Sequence, residues 1–486
     1  MQLRYDISRI LPQVDETGLD LIVSSLSEYN PDMPTAEFFK WRETLGQRTT
    51  FDVKKIPLAK VEGWYFDEHL NFRHRSGKFF SIEGIRVQTN HGYVHEWSQP
   101  IIQQPEVGIL GILCQKRNGV LHFLMQAKIE PGNVNQIQLS PTIQATRSNY
   151  TQVHHGHRPP YLDYFVDLSG KRVIVDQLQS EQGARFLKKR NRNMIVEIPA
   201  GLNIDLLENY CWLTLGQIKK LMQHDNIVNM DARTVLSCTQ LRFDRTVSTA
   251  SFPPDVRGLE FSGSQPDILL SLLVEQEALY GYEEIISWFT ALKTFTELDV
   301  KRCNIDELDK WRVGEWEIAH VDEKFFRVIG VEARIGNREV SSWCQPLVEQ
   351  RQFGLIGFIL KKINGVYHLL VQAKLEAGNF DVLEMAPTVQ CVTGSYQHPE
   401  WEVPYLEYFA GEKKVVVHYD RLQSEEGGRF YCEQNRNMVI EVEDDFPIIV
   451  ERNYTWMTLR QVKEFIKFNN YFNIEARSLL ACISVI

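Results

Sequence analysis

No run of about 18 apolar residues, the length a helix needs to span a bilayer, occurs anywhere in this 486-residue chain. The N-terminus carries no apolar signal region, so a soluble cytoplasmic protein without a membrane partner is expected. CxxC pairs are also lacking. The eight cysteines, at 114, 211, 238, 303, 344, 391, 432 and 482, are scattered, which favours reduced thiols over a disulfide framework. Basic charge is in deficit, with 53 Lys and Arg against 63 Asp and Glu and a net charge of -10. That balance argues against a nucleic-acid partner, which needs a basic face. The one basic run, RFLKKRNR at 185–192, reads as a solvated face or a local phosphate site. GxGxxG, GxxxxGK[ST] and GxSxG are missing too, and with them the signatures of dinucleotide, P-loop and serine-hydrolase sites. His154, His155 and His157 lack a carboxylate or cysteine at metal-ligand spacing, so they read as loop residues and no metal is expected.

What the chain does have is itself, twice. Trp97-Ser98-Gln99-Pro100 recurs as Trp343-Cys344-Gln345-Pro346, Gln126-Ala127-Lys128 as Gln372-Ala373-Lys374, and Gly132-Asn133 as Gly378-Asn379. Pro141-Thr142 and Gln144 match Pro387-Thr388 and Gln390, and Tyr150 matches Tyr396. Further on, Tyr161-Leu162-Asp163-Tyr164-Phe165 matches Tyr405-Leu406-Glu407-Tyr408-Phe409, and Asp176 matches Asp420. Gln179-Ser180-Glu181 matches Gln423-Ser424-Glu425, Arg185 matches Arg429, and Asn191-Arg192-Asn193-Met194 returns intact at 435–438. Upstream, Trp41 and Trp64 pair with Trp288 and Trp311. Each copy is domain-sized, unlike the short units of solenoids. The expected organisation is a first repeat with an N-terminal helical extension at 1–238, a linker and connecting helix at 239–282, and a second repeat at 283–486. Pro253, Pro254, Gly258, Gly263 and Pro266 mark the boundary.

Within a copy, segments rich in Val, Ile, Leu and Phe predict strands at 79–87, 120–128, 137–144, 171–176 and 194–198, with equivalents in the second copy. Asn118-Gly119 and Asn364-Gly365 are hairpin signals. Thr214 and Thr458 are candidate N-caps for helices at 214–223 and 458–468, and further helices are predicted at 34–45, 267–277 and 283–293. The class is α+β, with mixed sheets flanked by helices.

Polar residues shared by both copies lie in or beside the apolar strands, where each must find a hydrogen-bond partner or a ligand. Gln126/Gln372, Gln144/Gln390 and Asn193/Asn437 divide evenly between those roles. Lys128/Lys374 are solvated lysines or point-charge phosphate contacts. The planar fork of Arg192/Arg436 suits a diphosphate or a carboxylate, as does that of Arg185/Arg429. Trp97/Trp343, Tyr161/Tyr405 and Trp212/Trp456 read as core aromatics, any of which could stack on a planar ring.

Together the duplicated WxQP, QAK, YL[DE]YF, LQSE, NRNM and NY-x-W-x-T-L elements resemble the NDP-hexose 2,3-dehydratase family over nearly the whole chain. The resemblance implies tandem duplicated Nudix-like α+β domains without hydrolase chemistry. Ser180-Glu181-Gln182-Gly183 and Ser424-Glu425-Glu426-Gly427 do not supply the spaced carboxylates with which a Nudix box holds metal. It implies a lyase, free of metal and cofactor, that removes water across C2–C3 of an NDP-4-keto-6-deoxyhexose, the dTDP-linked glucose derivative above all. The product is a 3,4-diketo-2,6-dideoxy sugar nucleotide for a downstream 3-ketoreductase or aminotransferase, and the expected assembly is a homodimer. The C4 ketone acidifies the C3 proton, a base removes it, and an acid assists departure of the C2 hydroxyl. For proton transfer the candidates are Asp176/Asp420 and Glu181/Glu425, with Tyr161/Tyr405 as donors to the sugar carbonyl. Arg192/Arg436, Arg185/Arg429 and Lys128/Lys374 form the candidate diphosphate set. Gln144/Gln390, Asn193/Asn437 and Trp97/Trp343 complete the substrate-binding set. The competing readings are a non-catalytic nucleotide-sugar binding protein of degenerate repeats and a metal-dependent diphosphate hydrolase.

Overall fold

Asn118 and Gly119 take positive φ (49° and 83°), as do Asn364 and Gly365 (54° and 86°). This is the left-handed pair that lets a two-residue turn follow the twist of its strands. The turns close the hairpins Gly108–Arg117 with Val120–Ile129 and Gly354–Ile363 with Val366–Lys374. The structure, a computed structural model, describes residues 14–146, 158–242, 265–323, 325–336, 340–392 and 402–483.

Each hairpin is the centre of a seven-stranded mixed sheet. In the first, Arg190–Ile198 runs parallel to Gly108–Arg117 and antiparallel to Arg172–Ser180. Tyr210–Thr214 flanks the other side of the hairpin. The second sheet repeats the order with Gln434–Glu441, Val416–Ser424 and Tyr454–Thr458. The α+β expectation holds. The strand predicted at 137–144 is instead two, Ile137–Ser140 on one hairpin arm and Ile143–Ala145 on the other. Pro141 has no N–H to continue a ladder. Thr142 fills the break: its hydroxyl accepts from the Leu113 amide at 2.8 Å and donates to the Leu124 carbonyl.

The predicted helices occur as Thr35–Arg48, Leu215–Leu221, Gln265–Leu273, Tyr282–Phe295 and Leu459–Ile466. Thr214 and Thr458 cap as expected. The Thr214 hydroxyl accepts from the Gln217 amide at 3.1 Å while the Gln217 side chain accepts from the Thr214 amide at 3.2 Å. Such a box is worth about 1 kcal/mol. Met230–Ser237 and Ile474–Ile483 are not predicted by the apolar pattern. They pack on each other across the two copies, and Met230–Ser237 is buried on every side, so a polar sequence (Asp231, Arg233, Thr234) shows no amphipathic stripe. Among the described residues no helix is long and apolar enough to cross a membrane.

The copies are interlocked. The first five-stranded sheet, around Ser81–Thr89, takes its edge strand Leu298–Cys303 from the second copy, and the second, around Arg327–Ile335, takes Phe51–Ile56 from the first. Trp64 donates its indole N–H to the Cys344 carbonyl at 3.2 Å, and Trp311 donates to the Ser98 carbonyl at 2.9 Å. Phe186 and Phe430 meet edge to face at 6.0 Å within an aromatic cluster fed by both copies. Losing either ring would cost about 3–5 kcal/mol. The repeated glycines have the same origin. The Gly132 amide donates to the Gly427 carbonyl at 2.8 Å and the Gly378 amide to the Gly183 carbonyl at 2.7 Å. At either glycine a Cβ would run into main-chain oxygen of the opposite copy. This crossing carries the loop after each Gln-Ser-Glu into the neighbouring copy, and the functional groups follow it.

Candidate active site

A cavity of about 800 Å³ opens between the two sheets of the first copy and the loop after Ser424 of the second. Its mouth carries the exposed Lys78 and Phe79 together with His74 and Trp343. Buried side chains line the interior: Gln104, Glu130, Glu181, Lys189 and Asp231. Three supports hold the lining in place. Lys128 donates to Gln144 at 2.6 Å and pairs with Glu130 at 3.2 Å, while Gln144 donates to Asp231 in the first turn of its helix. Asn191 accepts from the Gly108 amide at 3.2 Å and donates to Glu181. Arg429 reaches in from the second copy, donating to Gln104 at 3.2 Å with its guanidinium 4.2 Å above the ring of Phe80.

Burial governs the electrostatics. It raises the Asp231 carboxyl well above the usual carboxylate range, and Glu426, Glu181 and Glu130 add to the effect. Burial raises Glu181 as well, opposed by Lys189. Glu426 is pushed up to about 7 by burial and by Glu130, against Arg429 and Lys128. Lys189 is pushed down to about 8, mainly by burial, although Glu181 favours its charged form. Lys189 donates to the Glu106 carbonyl, and Glu426 accepts from the Gly428 amide at 3.0 Å. An interior with carboxyl and ammonium groups drawn towards neutral pH is suited to proton transfer.

The second copy assembles a matching constellation. Lys374 donates to the Gln390 carbonyl at 3.2 Å, Gln390 donates to Glu376 at 3.0 Å, and Asn435 donates to Glu425. Arg185 crosses from the first copy, donates to Gln350 at 3.0 Å and sits 4.1 Å above Phe326. It is surrounded by Glu433, Glu376, Glu475 and Glu425. The position of Lys189 is taken there by Glu433, while Gln352 and Gln182 stand where the first cavity has Glu106 and Glu426, so the second constellation has one cation fewer at the same net charge.

The structure therefore divides the sequence candidates. Lys128, Gln144, Glu181, Trp343 and Arg429 meet in the first cavity. Lys374, Gln390, Glu425 and Arg185 meet in the second constellation. Trp97 lies near it, donating its indole N–H to Gln99 at 3.0 Å and packing beside Leu187 and Ala377. Arg185 and Glu181, four residues apart in the chain, belong to different constellations.

Four pairs stand outside the lining of the first cavity and have partners of their own. Arg192 grips Asp176 with both nitrogens at 2.6 Å on a solvent-facing patch, and Arg436 grips Asp420 at 2.7–2.9 Å. Strand alternation is the reason: Asn191 faces the cavity, so Arg192 points to the opposite face. Asn193 is buried against Cys238, and Asn437 donates to the Asn435 carbonyl at 2.9 Å. Tyr161 donates to the Asp205 carbonyl at 2.7 Å and Tyr405 packs edge to face on Tyr454, both as loop anchors. The histidines at 154–157 and the Tyr150/Tyr396 pair lie outside the described residues. Among the described residues no group of His, Cys, Asp and Glu is arranged to hold a metal ion.

Sequence reasoning missed Glu130, Lys189, Asn191, Asp231 and Glu426. Glu130 had a signal, because it recurs as Glu376 four residues after the shared Gln. Lys189 had one in the basic run 185–192, although it lies buried in the cavity rather than on a solvated face, and Glu426 had none, since it is not repeated.

The sequence model of the NDP-hexose 2,3-dehydratase family matches the chain twice, at residues 35–239 and 282–483. A protein of Saccharopolyspora spinosa is 45% identical over 470 residues, covering 95% of this chain and 93% of the relative. One of Amycolatopsis orientalis is 40% identical over 472 residues, 96% of this chain and 93% of its own. One of Streptomyces violaceoruber is 41% identical over 453 residues, 92% and 97%. Each bears the name dTDP-4-dehydro-6-deoxy-alpha-D-glucopyranose 2,3-dehydratase.

Proposed function

The chain belongs to the NDP-hexose 2,3-dehydratase family, and on that premise we propose that the first cavity is where it dehydrates a dTDP-linked 4-keto-6-deoxyhexose. The enzyme is a lyase that removes water across C2–C3 of dTDP-4-keto-6-deoxyglucose. The observation that carries the cavity assignment is the cation set Lys128, Lys189 and Arg429 inside an enclosure large enough for a nucleotide sugar. The second constellation has Glu433 in place of one of those cations and keeps two, Lys374 and Arg185, so it offers a diphosphate fewer charged donors.

In this reading the thymine rests on the aromatic mouth, against Phe79 or Trp343. The diphosphate is held by the fork of Arg429 with Lys78, and the sugar enters among Lys128, Gln144 and the buried carboxyls. Loss of the C3 proton gives an enolate at C4, stabilised by neighbouring N–H donors. Its electrons form the C2–C3 double bond as the C2 hydroxyl departs with a proton. The resulting enol tautomerises to the 3,4-diketo sugar. That product is labile, so a 3-ketoreductase or aminotransferase-type enzyme must consume it. A homodimer belongs to the same proposal. We also read the repeats as Nudix-like, supported by the mixed sheet that each copy builds with helices packed against it.

The test is incubation with dTDP-4-keto-6-deoxyglucose, followed by NMR. Loss of the C2 oxygen and the C3 proton is expected, and an unaltered sugar spectrum, with or without a coupled reductase, rejects the activity.

A further inference from the structure

The two constellations match position by position, so their differences show what one site has that the other lacks. Among the acidic and basic side chains lining the first cavity, most have a like partner in the second copy. Three do not. Glu106 corresponds to Gln352, Lys189 to Glu433, and Glu426 to Gln182. Glu106 gives Lys189 its main-chain carbonyl. Lys189 and Glu426 are the unmatched pair of opposite charge, one from each copy, facing one cavity and each within the other's field. In the second constellation Gln182 donates to Glu425, a structural contact with no proton to exchange.

We infer that Glu426 and Lys189 are the proton-transferring pair of the dehydration, Glu426 taking the C3 proton and Lys189 protonating the departing C2 hydroxyl. The assignment rests on the dehydratase reading above, and it balances. The Glu426 carboxylate removes H3, and the C3–H electron pair becomes the C3–C4 enolate. The enolate electrons re-form the C4 carbonyl and the C2–C3 double bond, and the C2–O bond breaks. The oxygen leaves as water with a proton from the Lys189 ammonium. Glu426 is then a carboxylic acid and Lys189 an amine. Tautomerisation restores both: the amine takes the enol O3 proton while the acid delivers its proton to C2. One cycle releases one water and leaves the enzyme unchanged.

The supports suit these roles. The Gly428 amide fixes Glu426, and the Glu106 carbonyl orients the Lys189 ammonium while leaving further N–H bonds to donate. Glu426 is held at about 7 and Lys189 at about 8 in the field of Glu130, Glu181, Asp231, Lys128, Arg429 and Glu106. Carboxylate and ammonium must coexist, so kcat/KM should be bell-shaped, rising through about pH 7 and falling above about pH 8.

The experiment follows exchange of the C3 proton into deuterated water and release of dehydrated sugar, in variants whose dTDP binding and thermal melting match the native protein. Glu426→Gln should lose both exchange and dehydration by about 100-fold or more, with Glu426→Asp recovering part of each. Lys189→Met and Lys189→Arg should keep exchange and lose dehydration by about 100-fold, since neither has a transferable proton near neutral pH. Glu433→Gln should stay within about twofold of native. Native protein that dehydrates while Glu426→Gln still exchanges C3, or Lys189→Met still dehydrates, at the native rate overturns this assignment alone. Native protein that releases no dehydrated sugar overturns the dehydratase reading and the assignment with it.

Discussion

The guanidinium of Arg429 lies 4.2 Å above the ring of Phe80, a residue of the second copy seated on one of the first, and Arg185 lies 4.1 Å above Phe326 in return. Stacking and the bond to Gln104 hold the Arg429 fork in the cavity. Lysine keeps the charge and loses both. Arg429→Lys should weaken dTDP binding by about tenfold, or about 1.4 kcal/mol by titration calorimetry. Arg185→Lys should leave turnover within about twofold, because its surroundings are the acidic second constellation.

The Arg192–Asp176 pair is exposed and apart from the cavity. Surface pairs of this kind contribute about 0–1 kcal/mol. Arg192→Ala should therefore leave dTDP affinity and kcat/KM within about twofold. A tenfold loss would return this arginine to the diphosphate set.

At Gly132 an added Cβ would collide with the main chain of the opposite copy, whereas at Gly314 the nearest atom is 3.4 Å away. Gly132→Ala should cost about 1–3 kcal/mol or more and lower Tm by several degrees. Gly314→Ala should shift stability by no more than about 0.5 kcal/mol. Denaturant melts of both variants check the contrast.

Glu384 is fully buried, accepts from the Ser180 hydroxyl of the other copy at 2.8 Å, and is pushed from 4.5 up to about 7 by burial. Its folded-state value is raised, so the folded protein holds a proton that the unfolded chain releases above about pH 4.5. Stability from this group is complete below that pH, falls as pH rises, and is lost above about pH 7. The corresponding residue of the first copy is Gln138, which accepts from Ser424 at 2.9 Å. Glu384→Gln should remove the loss and be more stable than native at pH 8 by on the order of 3 kcal/mol. Denaturation at pH 5 and pH 8 reads the difference; equal stability at both would contradict the sign.

Much of the fold was legible in the sequence because local chemistry decides it: Asn-Gly turns, threonine caps and alternating apolar strands act over a few residues. The exchanged edge strands were not, because Phe51–Ile56 and Leu298–Cys303 carry no signal of which copy they pair with. For the site, the repeat pointed to Lys128, Gln144, Glu181 and Arg429 because each is kept in both copies. It also pointed to Arg192 and Tyr161, which are kept for an ion pair and a loop anchor. Identity between copies marks whatever both need, and packing is needed in both. Lys189 and Glu426 are unmatched, and a search for shared residues passes over them.

The central claim is that chemistry takes place in the first cavity and not in its counterpart. Its most direct test is the single-turnover rate of dehydration for Lys128→Ala beside Lys374→Ala, the same substitution at matched positions of the two copies. The account predicts a fall of about 100-fold or more for Lys128→Ala and no more than about threefold for Lys374→Ala. Equal losses, or the larger loss at Lys374, would contradict it.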